Sequence, residues 1–167
     1  MIGTQGSKNY LEEGVKITHN QTVETFRGLA ATGPLKAFRT EEDLLISFSL
    51  ADFTLEQYRL SLNSNVVTDV PAGSGTAGYR SIDIYLGPEE VRQMALLVRG
   101  AAASPYLANT AVQYQVPLVQ ESASKEIVSQ KGVPIALALE FTALEDPNAA
   151  SASKRFGTLV MMDAVAL

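Results

Sequence analysis

The sequence predicts a mainly β fold: an antiparallel β-sandwich or barrel with one appended α-helix. Three observations predict it. Apolar and polar residues alternate in several separate runs, which is the period of half-buried strands. Short turn-forming clusters punctuate those runs, so most connections are hairpins. Only one segment combines a helix N-cap with a full helical apolar face.

Taken in order, Val15 and Ile17 alternate with Lys16 and Thr18, and a Thr-rich extended run continues through His19, Gln21, Val23 and Thr25. Ala31-Thr32-Gly33-Pro34 breaks that run. Leu44, Ile46, Phe48 and Leu50 then share one strand face, with Leu45, Ser47 and Ser49 on the other. Thr54 is an N-cap residue type, and Gln57 three positions later completes a capping-box pattern. Leu55, Tyr58 and Leu62 fall on one face of the helix that follows, and Asn63-Ser64-Asn65 ends it.

A strand is expected over residues 66–70, and another where Ile82, Ile84 and Leu86 alternate with Ser81, Asp83 and Tyr85. Over residues 88–99 two readings compete. Pro88-Glu89-Glu90 has helix-start chemistry, whereas Met94 to Arg99 fits a buried strand. Periodicity does not separate them; a short turn followed by a strand is the expectation, with helix the alternative. Lys131-Gly132 reads as a hairpin turn into the clearest strand, residues 133–142. There Val133, Ile135, Leu137, Leu139 and Phe141 oppose Pro134, Ala136, Ala138, Glu140 and Thr142. Asp146-Pro147-Asn148 and a small-residue loop lead to a last strand over 155–162, with Phe156, Thr158, Val160 and Met162 on one side.

Composition bounds the rest. A chain of 167 residues, 46% hydrophobic, is one domain that buries a core without disulfides or metal. The absence of cysteine removes thiolate metal sites and thiol nucleophiles. No apolar run reaches the roughly eighteen residues of a membrane-spanning helix. The polar, Gly-rich start lacks signal-peptide regions, so synthesis in the cytoplasm is expected. A net charge of −5 disfavours tight binding to a phosphate backbone but suits a wall past which DNA slides.

No motif for catalysis survives inspection. Gly73-Ser74-Gly75-Thr76-Ala77-Gly78 matches G-x-G-x-x-G, but an alternating, strand-like segment follows it. A dinucleotide site needs a helix there to receive the pyrophosphate, so an inter-strand loop is expected instead. His19, the only histidine, sits between Thr18 and Asn20 as on an exposed strand. Glu12-Glu13 and Glu41-Glu42-Asp43 lack calcium-loop spacing and read as solvated turns. Asn20-Gln21-Thr22 fits a glycosylation acceptor, which matters only on secretion. Neither a catalytic residue, a metal ligand nor a cofactor is assigned, and an enzyme is not expected.

Residues 22–40 differ from the other connections. The segment links two strands yet is longer than a connection needs. It places Phe26, Leu29, Leu35 and Phe38 among Arg27, Lys36 and Arg39, around a turn at Pro34. Aromatics with arginines are the bias of a protein interface. A projecting hairpin arm is therefore expected, with those eight residues meeting another subunit.

Several collinear stretches resemble the major tail tube proteins of long-tailed, siphovirus-like bacteriophages and related prophages. They are Leu11-Glu12-Glu13-Gly14-Val15-Lys16-Ile17, the arm with Ala30 and Thr32-Gly33-Pro34-Leu35-Lys36-Ala37, and the run from Thr40-Glu41-Glu42-Asp43 through Leu45-Ile46-Ser47-Phe48 into Phe53-Thr54-Leu55-Glu56-Gln57. Leu137 to Asp146 followed by Arg155-Phe156-Gly157-Thr158-Leu159-Val160 is similar to the family's closing strand pair. The resemblance implies a structural virion protein, made in the host cytoplasm. Its copies would form hexameric rings that stack into a tail tube around a tape-measure protein, and genomic DNA would later pass through without sequence-specific binding. It implies no membrane partner. A tail terminator, or the tube protein of a contractile injection system, is the nearest alternative; a monomeric β-sandwich binding module is a further one. Unpaired strand edges are a liability that ring closure removes, and a heterologous stacking contact yields a filament.

Overall fold

The computed structural model describes residues 10–163 except 31, 52, 88, 89, 101–103, 125 and 134, with backbone alone at 10–13. The polar start at residues 1–9, the Pro88-Glu89 pair and Pro134 lie outside the described residues. Among the described residues the chain is mainly β and antiparallel, with one α-helix, as the alternation implies. Its elements are β1 (Tyr10–Phe26), β2 (Lys36–Leu50), α1 (Leu55–Ser61), β3 (Val67–Val70), β4 (Tyr79–Ile82), β5 (Gln93–Gly100), β6 (Val112–Glu121), β7 (Leu137–Ala143) and β8 (Thr158–Met161). Among the described residues no helix is long and apolar enough to cross a membrane.

One curled sheet has the order β1-β2-β7-β6-β5, and β3 and β4 form a separate hairpin. β7 and β8 lie end to end along the same side of β6. β7 pairs with Val119 to Glu121, and β8 pairs with Val112 to Gln115. The core lies on one face of this sheet, where period-two patterning puts it. Leu44, Ile46, Phe48 and Leu50 of β2 meet Leu137, Leu139, Phe141 and Ala143 of β7, joined by Val116 and Val119 of β6. In register, Ile46 faces Phe141 and Phe48 faces Leu139, so the two apolar rows interlock. The Phe48 and Phe141 rings stack at 5.9 Å. Met94, Leu96 and Val98 of β5 pack against the same cluster. That settles the second half of residues 88–99 as strand, since alternate side chains turn inward.

α1 begins where the N-cap signal places it: Thr54 Oγ1 accepts from the Gln57 backbone N–H at 3.3 Å. The reciprocal half of the capping box is missing, and Gln57 Oε1 is buried without a partner. Tyr58 and Leu60 pack on the core and Leu62 is buried, so the helix covers one end of the apolar face. Asn63 and Ser64 both take positive φ and stop it, with the Ser64 N–H returning to the Arg59 carbonyl at 2.7 Å.

Three strands are shorter than their alternation suggests: β7 and β4 because their partners run out, and β8 because a 3-10 turn precedes it. β7 starts at Leu137, opposite Leu50, the last residue of β2; Val133 instead closes a tight turn onto Gln130. β4 ends at Ile82, opposite Val67, the first residue of β3. β8 starts at Thr158, after a 3-10 turn at Ala152–Lys154, and the expected single face from Phe156 to Met162 is broken. Phe156 reaches the core, while Val160 and Met162 stay exposed. Glu41, Glu42 and Asp43 also differ from expectation: they are paired β2 residues and not a turn.

Gly157 is where the chain swings into β8. Its φ is +114°, and a Cβ there would stand 2.1 Å from the Gln115 carbonyl oxygen and 3.0 Å from Val116 Cα. Both obstacles are backbone of β6, so neither moves without loosening the β6–β8 ladder. Gly157→Ala is expected to cost about 2–4 kcal/mol, from strain plus overpacking. Urea unfolding checks this; a midpoint within error of the parent would contradict it.

Candidate assembly interface

The β2–β7 ladder stops at Leu45 opposite Thr142. Beyond that point β1 and β2 pair only with each other, from His19–Leu44 to Phe26–Lys36. At about 3.4 Å per residue this ribbon runs roughly 25 Å past the rest of the sheet. Cross-strand contacts hold it. Thr22 Oγ1 donates to Glu41 Oε2 at 3.0 Å, and Arg39 Nε donates to Gln21 Oε1 at 2.9 Å. The register slips at Thr22–Val23, where Thr40 is the extra residue and its hydroxyl donates to the Thr22 carbonyl. A bulge of this kind twists and bends a ribbon.

Below the bulge, Glu24, Phe26, Lys36 and Phe38 share one face, and Val23, Thr25, Ala37 and Arg39 the other. Phe26 and Phe38 are diagonal neighbours across the strands. The tip is closed by the Leu35 N–H donating to the Phe26 carbonyl at 2.8 Å and by Arg27 Nη1 donating to the Thr32 carbonyl at 3.0 Å. Leu35 Cδ1 lies over Gly28, where a side chain would meet it at 3.0 Å.

The eight interface candidates thus divide. Phe26, Leu29, Leu35 and Phe38 are 58%, 110%, 61% and 56% exposed, and Pro34 and Lys36 are also exposed. Arg27 and Arg39 instead brace the hairpin, Arg39 also lying 3.4 Å from Glu42. Fully burying a Leu or Phe side chain is worth about 1.5–3 kcal/mol. An exposed ion pair is worth about 0–1 kcal/mol. Contact energy at this tip therefore resides in the four apolar residues.

The sheet also has open borders. β1 and β5 are its terminal strands, and neither pairs outward among the described residues. A second exposed apolar patch was not foreseen. It is the continuous stretch Ile84 to Leu86, with Ile84 80% and Leu86 73% exposed. Its signal was present in the Ile82-Ile84-Leu86 alternation, which reads as a strand; only the missing partner turns that stretch into a surface. Asn65 Nδ2 holds it extended, donating to the carbonyls of Asp83 at 2.9 Å and Tyr85 at 2.7 Å.

The remaining candidates for chemistry are placed plainly. Residues 73–78 lie in the β3–β4 connection, where Gly73 and Thr76 exchange backbone hydrogen bonds and Gly75 takes φ +74°. A strand follows, so the backbone N–H groups do not form a phosphate cradle at a helix start. His19 is exposed at the base of the ribbon. Among the described residues no group of three or more His, Asp or Glu side chains is placed to hold a metal ion. Comparison with protein-family models and with curated proteins finds no match for this chain.

Proposed function

We propose that this chain is a structural subunit that self-assembles into stacked hexameric rings, forming the tail tube of a bacteriophage. The observation that carries this reading is the β1–β2 ribbon, which runs past its own sheet and ends in four exposed apolar side chains. A two-stranded ribbon is marginal alone in water, and an exposed apolar tip marks a contact surface. A sister subunit supplies both the cover and the support. The open outer edges of β1 and β5 favour lateral pairing into a ring. The negative charge of the chain suits a conduit through which DNA moves without being held. In this reading the partners are sister copies, a tape-measure protein in the lumen, and DNA in transit; the location is the virion.

Negative-stain microscopy across protein concentration and salt tests it. Long hollow tubes of uniform diameter are expected. Isolated rings would favour a tail terminator, and a field of monomers at high concentration would overturn the reading.

A further inference from the structure

We propose that the arm face bearing Phe26 and Phe38 pairs with the same face of a second copy around a two-fold axis, giving a reversible dimer of free subunits. The register puts four side chains together on that face: Glu24 opposite Phe38, and Phe26 opposite Lys36. Phe26 and Phe38 are 58% and 56% exposed, and Glu24 and Lys36 are exposed as well. The ribbon carries this face past its own sheet. Among the described residues neither the Glu24 carboxylate nor the Lys36 ammonium has an ion-pair partner. Farther from the tip the face continues with Thr22 and Glu41, then Asn20 and Asp43.

The four side chains form a near-square, about 5 Å across the strands and about 7 Å along them. The two charges occupy one diagonal and the two rings the other. A second copy laid on this face by a two-fold along the ring diagonal crosses near a right angle, a packing that sheets adopt. Glu24 of each copy then meets Lys36 of the other, and each ring meets its counterpart. A two-fold along the charge diagonal sets like charges together. One along or across the ribbon leaves Glu24 against the negative face of a ring and makes neither ion pair. The face is therefore complementary to itself in one crossing, with Glu41 and Asp43 outside it. The contact is small: an aromatic side chain covers about 150–250 Å² when fully buried, so four rings already nearly half covered fall well below the roughly 1,200 Å² of a stable interface. Half-dissociation is expected at about 100 μM. Such a contact is isologous and closes at two copies, so it does not lengthen a filament. It stands apart from the tube reading, as a resting form whose arm is occupied until a growing tube takes it.

Sedimentation velocity of the unassembled subunit tests this, since tubes pellet first, and carbodiimide coupling traps the pair at any concentration. The parent should show a monomer–dimer equilibrium and a Glu24–Lys36 link between differently isotope-labelled copies. Glu24→Lys and Lys36→Glu each place like charges in the crossing, so each alone should weaken dimerisation by about tenfold. An equimolar mixture of the two should dimerise like the parent, because every acid again meets a cation. Asp43→Lys, exposed on the same face but outside the crossing, should change nothing. A parent that stays monomeric and gives no Glu24–Lys36 link would overturn the pairing. So would single variants that lose the dimer without recovery on mixing, or an equal loss from Asp43→Lys. Tubes from a subunit that never dimerises would overturn this pairing alone, and dimers that never yield tubes would overturn the tube reading alone.

Discussion

Phe141→Ala is expected to destabilise the isolated subunit by about 3–5 kcal/mol, the largest effect of any single truncation in this core. Phe141 is fully buried, faces Ile46 across the β2–β7 ladder and stacks on Phe48. Its neighbours sit on three paired strands, so they cannot collapse into the void without breaking ladder hydrogen bonds. A domain of this size holds only about 5–15 kcal/mol in total. The urea midpoint should fall by roughly a fifth or more with the slope unchanged. A shift under about 1 kcal/mol would mean that the site relaxes and that the core is not centred on β2 and β7.

The second large effect is on assembly and leaves the fold intact. Replacing residues 22–41 with Asn-Gly joins Gln21 to Glu42, which already face each other, through a turn suited to two-residue hairpins. The buried core begins at Leu44, so nothing it contains is removed. The unfolding midpoint should therefore stay close to that of the parent. Long tubes should be lost, because the four apolar tip residues go with the arm. Rings held by sheet edges can persist. Microscopy of matched samples at one concentration decides it, and tubes of normal length from the shortened chain would refute the role given to the arm.

These expectations depend on features of unequal visibility in the sequence. The β2 and β7 rows were legible because each has one buried and one solvated face, the condition under which period two is strongest. Thr54 was legible because capping is local chemistry. Strand ends were not: β4 and β7 are bounded where a neighbour ends, β8 begins only after a 3-10 turn, and pairing partners are a tertiary fact. Glu41 to Asp43 looked like a turn because three acids in a row are rare in a strand, yet on a ribbon solvated on both faces they carry no burial cost.

The candidate interface shows the same split. Composition singles out residues 22–40, and all eight of the residues it names there are exposed. Arg27 and Arg39 looked equally available, but each has a nearer acceptor within the hairpin. The patch at Ile84 to Leu86 was hidden by resembling an ordinary strand; only its lack of a ladder reveals it.

Hydrogen–deuterium exchange, comparing dilute subunit with assembled material, tests the central claim most directly: that sister copies cover what this chain leaves open. Amides of residues 19–26 and 36–43 should exchange rapidly when dilute and slow by at least tenfold on assembly, while core amides of β2 and β7 change little. Unchanged exchange in the ribbon of an assembled sample would contradict the account.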